Sequence, residues 1–189
     1  MNDALYQAAT LIVPLILAIV FHEDAHGGMA RALGDPTAEE QDRLSLNPLR
    51  HVDPVGAVVV PGLLALVKAP ILGWARPVPV NRWRLRNPRY GMMAVAAAGP
   101  GSNFLLAGVA AVIVGLVIKA NPPDGTTSAL TRFFAADLFN FILINVFLAV
   151  FNLLPILIPW SDPIGVLVRP PVEWMVGHYM NLAALVSGR

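Results

Sequence analysis

His22, Glu23 and His26 stand in the order His-Glu-x-x-His at the far end of an apolar run that begins at Ala4. Residues four apart on a helix lie about 40° apart around its axis, so His22 and His26 face the same way and can offer two imidazole nitrogens to one metal ion. Glu23 is then placed to act as general base on a metal-bound water, the chemistry of metal-assisted hydrolysis. The setting sharpens this reading. Ionisable groups near the membrane core cost roughly 2.5–3.5 kcal/mol each on insertion scales, so they persist where they ligate, pair or line a polar cavity. The blander reading is that both histidines sit at the headgroup level, satisfied by water. Asp24 has no ligand role in this geometry and is expected to face water or pair with an arginine.

The elements that must position these residues are apolar. Of 189 residues, 56% are hydrophobic and only 13% charged, which places the chain among integral membrane proteins of a single domain, 1–189, and leaves no room for a second soluble domain. The absence of cysteine excludes disulfides, thiolate metal sites and cysteine nucleophiles, so a metal must use His, Asp or Glu. Met1-Asn2-Asp3 carries no positive n-region and no small-residue cleavage site follows the run, so an uncleaved span is expected.

Hydropathy and turn residues predict an all-α protein with spans at about 4–30, 92–118 and 132–154, and a terminal apolar segment at 172–186 suited to the interface. The run 55–72 is short and is broken by Pro61-Gly62, which allows it to turn back inside the membrane as a re-entrant segment. Gly99-Pro100-Gly101-Ser102-Asn103 interrupts the second span; its glycines permit close approach of a neighbour, and Asn103 needs a hydrogen-bonding partner. Asn140, Asn145 and Asn152 lie along the third span. Between Gly73 and Arg89 stand five arginines and no acid, which assigns that loop to the cytoplasmic side and to lipid headgroups; no nucleic-acid partner is expected. His51 and Asp53 read first as turn-stabilising residues.

Several stretches together resemble one family, the intramembrane zinc metalloproteases of the site-2 protease type, in their compact prokaryotic form. They are Phe21-His22-Glu23-Asp24-Ala25-His26-Gly27, the segment from Leu46-Asn47-Pro48 to Gly56, Gly73-Trp74-Ala75-Arg76-Pro77, Ala98-Gly99-Pro100-Gly101-Ser102-Asn103, and Phe151-Asn152-Leu153-Leu154-Pro155. They follow the family's order between about residues 20 and 160. The resemblance implies a three-span catalytic core in a prokaryotic cytoplasmic membrane that cleaves the transmembrane helix of a single-span protein substrate. It implies Zn2+ held by His22, His26 and an aspartate of a later span, Glu23 as base and then proton donor, and Asn152 as a substrate-binding residue; Asn103, like Asn140 and Asn145, is a candidate partner for unwound substrate backbone or for an interhelical hydrogen bond. The family pattern Asn-x-x-Pro-x-x-x-x-Asp-Gly would put the aspartate eight residues after Asn152, where this chain has Trp160; the nearest acid is Asp162, followed by Pro163. Either two extra residues bulge out before Asp162 or the third ligand has been lost. The alternative reading is therefore a catalytically impaired homologue that binds or scaffolds a client helix in the lipid bilayer.

Overall fold

The computed structural model describes residues 3–60, 63, 66, 75–121, 128–153 and 169–188. Those residues form an all-α protein: α1 (Asp3–Ala32), the short α2 (Thr37–Glu40), α3 (Pro88–Ala120), α4 (Ala129–Leu153) and α5 (Arg169–Ser187). The segment 55–72, read as re-entrant, opens with a π-helical turn at Val55–Val59 and then lies mostly outside the described residues.

Among the described residues three helices are long and apolar enough to cross a membrane, at Ala9–Ala32, Pro88–Ala120 and Ala129–Leu153. At 24, 33 and 25 residues, with a rise of 1.5 Å per residue, each exceeds the ~30 Å hydrocarbon thickness of a bilayer. Their surfaces are inverted relative to a water-soluble helix. Leu11, Ile12, Val13, Leu15, Ile16 and Leu17 of α1 are each 40–53% exposed, an arrangement stable in lipid and costly in water.

Local signals set the ends. α1 stops where Gly34 takes φ +107°, and the Asp35 amide donates back to the Ala30 carbonyl at 2.9 Å. α3 starts at Pro88 because Asn87 Oδ1 accepts the Tyr90 amide at 3.3 Å and proline fits the first helical position. At the start of α4, Ser128 Oγ accepts the Thr131 amide at 3.1 Å.

The contacts group into two compact units, 1–18 with 100–189, and 19–99. In the first, Ala107, Ala110, Ala111 and Val114 of α3 pack with Ile142, Val146 and Val150 of α4 and Val172 and Ala183 of α5. The small residues let backbones approach: the space a side chain on Gly115 would fill is taken by the Ala183 carbonyl and Val186. Polar groups join the helices too, with Asn140 Nδ2 donating to the Thr10 carbonyl at 2.9 Å and Tyr179 Oη to the Phe104 carbonyl at 2.8 Å.

In the second unit, the connection after α1 is held by side chains that satisfy loop backbone. Buried Asp35 accepts from the Thr37 amide at 3.0 Å, the Thr37 hydroxyl and the Asn81 amide at 2.6 Å. Burial alone raises the pKa of this carboxyl, but those hydrogen bonds and the positive charge of Arg84 outweigh it and hold the group below its usual range. The stretch 75–80 is not helical, and Ala75 makes an isolated antiparallel bridge to Val52.

Candidate metal centre

α1 carries His22, Glu23 and His26 in the C-terminal half of its length, all within the unit 19–99. The two imidazoles meet edge to face, and their Nε2 atoms lie 3.1 Å apart. His26 Nδ1 is 2.6 Å from the Val95 carbonyl on α3. A carbonyl only accepts, so His26 Nδ1 carries a proton, which leaves Nε2 as the ring nitrogen that a metal could take.

The pair passes a simple geometric test for zinc. Two ligand bonds of about 2.0–2.1 Å at the tetrahedral angle separate the nitrogens by roughly 3.3 Å, close to the 3.1 Å observed. His22 is 7% exposed and His26 is half-buried. Two imidazoles do not complete a site, and among the described residues no group of three His, Asp or Glu gathers around a common point. Asp162, the expected third ligand, lies outside the described residues.

Glu23, next on the helix, accepts the Val78 amide on Oε2 at 3.0 Å. Val78 belongs to the stretch 75–80, which buried Arg43 pins by donating from Nη2 to the Arg76 carbonyl at 2.7 Å. Burial, and then the neighbouring charge of Arg76, pull the Arg43 pKa below the usual guanidinium value, while Glu23 acts in the opposite sense. Glu23 is thus held by one oxygen.

Asp24 does not face open water or an arginine, as the sequence suggested. Its Oδ1 accepts the Ser45 amide at 2.9 Å, and the buried His51 ring lies beside it with Nε2 at 3.7 Å while donating to the Ser45 carbonyl at 2.7 Å. Asp24 therefore fastens the loop after α2 to α1. Asp53 closes the next turn, accepting the Val55 and Gly56 amides at 2.8 and 3.1 Å.

The two asparagines proposed to bind substrate lie in the other unit. Asn103 is fully buried and donates Nδ2 to Asn145 Oδ1 at 2.7 Å, and Asn145 in turn donates to the Phe141 carbonyl at 2.8 Å. This is an interhelical hydrogen bond, one of the two roles open to Asn103 from sequence. Asn152, exposed at the end of α4, donates to the Leu148 carbonyl of its own helix at 2.7 Å.

Sequence reasoning passed over the Val95 carbonyl and Arg43, which act through contacts 69 and 33 residues away along the chain. It also passed over Asp137 in α4, whose Oδ1 is buried with no hydrogen-bond partner among the described residues. An acid inside an apolar span was the available signal for that residue.

Fold and site together define a helical membrane protein that presents a His-Glu-x-x-His helix at the end of a membrane-crossing run. Over 148 residues the chain is 37% identical to the Bacillus subtilis (strain 168) protein named "Putative zinc metalloprotease YwhC", a match covering 77% of this chain. The chain spans 63% of that relative's length. No family model and no solved structure matches the chain.

Proposed function

We propose that the chain is an intramembrane zinc endopeptidase of the site-2 type, hydrolysing a peptide bond in the transmembrane segment of a single-span protein in a prokaryotic cytoplasmic membrane. The observation that carries this reading is the convergence of His22 Nε2 and His26 Nε2 at 3.1 Å on a membrane-crossing helix, with Glu23 between them in sequence. His22 and His26 hold the metal, and Asp162 supplies the third ligand. Zinc, when bound, lends Lewis acidity to a water and to the scissile carbonyl. Glu23 would take the proton from the attacking water and return it to the leaving amine. Its hydrogen bond from the Val78 amide fixes one carboxylate oxygen and leaves the other for the proton.

The test is zinc content together with cleavage of a reconstituted single-span substrate. Native protein is expected to hold one zinc and cleave. Glu23→Gln is expected to keep the zinc and lose on the order of 10²–10⁴-fold in rate, the usual share of a general base. Zinc uptake with no cleavage would favour the impaired homologue, and no zinc at all would defeat the protease reading.

A further inference from the structure

The glycines of Gly99-Pro100-Gly101 are not equivalent. A Cβ built on Gly99 would lie 2.6 Å from His26 Cε1 and 2.7 Å from His22 Cε1, and nearer still to His26 Nε2, all inside the 3.0 Å below which real Cβ atoms essentially never come. A Cβ on Gly101 would meet nothing within 4 Å. One turn before Gly99 on the same helix, the Val95 carbonyl receives His26 Nδ1–H. One turn of α3 thus touches the imidazole pair twice, by an acceptor that orients one ring and by a gap that admits both.

We propose that Gly99 is a positioning residue for the metal: its missing side chain is the slot in which His22 and His26 turn their Nε2 atoms toward one another. Any side chain at 99 must push at least one ring off that geometry, because both rings lie against the same point. The inference rests on the zinc reading above and deepens it, since it makes α3, and not α1 alone, the element that sets ligand geometry.

Detergent-purified native protein, Gly99→Ala and Gly101→Ala are compared for zinc affinity by chelator competition, for the visible ligand-field absorption of bound Co2+, and for helical circular dichroism. Gly101→Ala is expected to match the native protein throughout. Gly99→Ala is expected to stay helical, lose roughly 10–100-fold in zinc affinity, the range found when groups supporting a ligand are altered, and shift or lose the Co2+ band. Native affinity and an unchanged Co2+ spectrum in Gly99→Ala overturn the proposal.

If Gly99→Ala does not fold, the same substitution is made in a His22→Ala/His26→Ala background. Recovery of folding there supports the slot, because the rings it would strike are gone; continued failure overturns it. If the native protein takes up no metal, the zinc reading has failed, and the slot then requires Gly99→Ala to unfold more readily than the native protein and the His22→Ala/His26→Ala background to remove that loss; no loss in Gly99→Ala overturns it.

Discussion

Asp24 shows how much a neighbouring residue's role depends on chain far away. It lies between the two histidines in sequence, yet its carboxylate serves the Ser45 amide and stands beside His51, both in the loop beyond α2. Removing a hydrogen-bonded carboxylate leaves a donor without its partner, at a cost of about 1–3 kcal/mol. Asp24→Ala is therefore expected to lower the thermal unfolding midpoint while leaving zinc stoichiometry unchanged, with calorimetry and metal analysis on the same sample as the check. Loss of zinc in that variant would place Asp24 in the metal site and contradict its fastening role. The His22, Glu23 and His26 arrangement was legible because helical periodicity is a local property, readable from five residues. The partner of Asp24 and the crowding at Gly99 were not, because they are set by pairing between segments 21 and more than 70 residues apart.

Among the elements, the three long helices follow from apolar run lengths, and their ends do not. Counting apolar residues starts the second span at Met92 and the third at Arg132, whereas α3 begins at Pro88 and α4 at Ala129. Asn87 and Ser128 cap those helices through side-chain hydrogen bonds, to which hydropathy is blind. Between α3 and α4 the Asn103–Asn145 bond is the polar join. A double-mutant cycle with Asn103→Leu and Asn145→Leu is expected to give a coupling of about 0.6–2 kcal/mol, with the double variant less destabilised than the sum of the singles. A coupling near zero in detergent unfolding would mean that each amide finds another partner.

The connection from α1 to the 75–86 stretch carries a pH dependence of its own. Asp35 has its carboxyl pKa held below the ordinary 3.8 in the folded protein, so the unfolded chain binds its proton first as pH falls. Its stabilising contribution is therefore complete above about 3.8 and fades as pH drops through the lowered folded value. Asp35→Asn is expected to lose stability at neutral pH and to show a flatter stability profile between pH 5 and the acid limit, measured by unfolding across that range. Equal acid sensitivity in native and variant protein would assign the fall to other carboxylates.

At the scale of the whole molecule, the route of the chain through the membrane decides whether the catalytic parts share one side. The segment 55–72 is long enough to cross a bilayer only at the minimum, and its flanks hold each other: Val52 bridges to Ala75, and the Arg76 amide donates to the His51 carbonyl at 2.8 Å. Further out, the Arg86 amide donates to the Leu33 carbonyl at 2.9 Å and Arg84 pairs with Glu40. Ends joined by hydrogen bonds do not lie ~30 Å apart across a hydrocarbon layer. The joined flanks support our proposal that the segment leaves and re-enters on one side, which the arginines between Gly73 and Arg89 would make the cytoplasmic one. Reporter tags at Ser45 and Leu85 are accordingly expected to be modified by the same membrane-impermeant reagent from the cytoplasmic face of inverted vesicles. Labelling from opposite faces would make 55–72 a full crossing, which carries Asp162 to the side away from His22 and His26. The third ligand would then have to be another residue, and the protease reading would lose its route to a complete site.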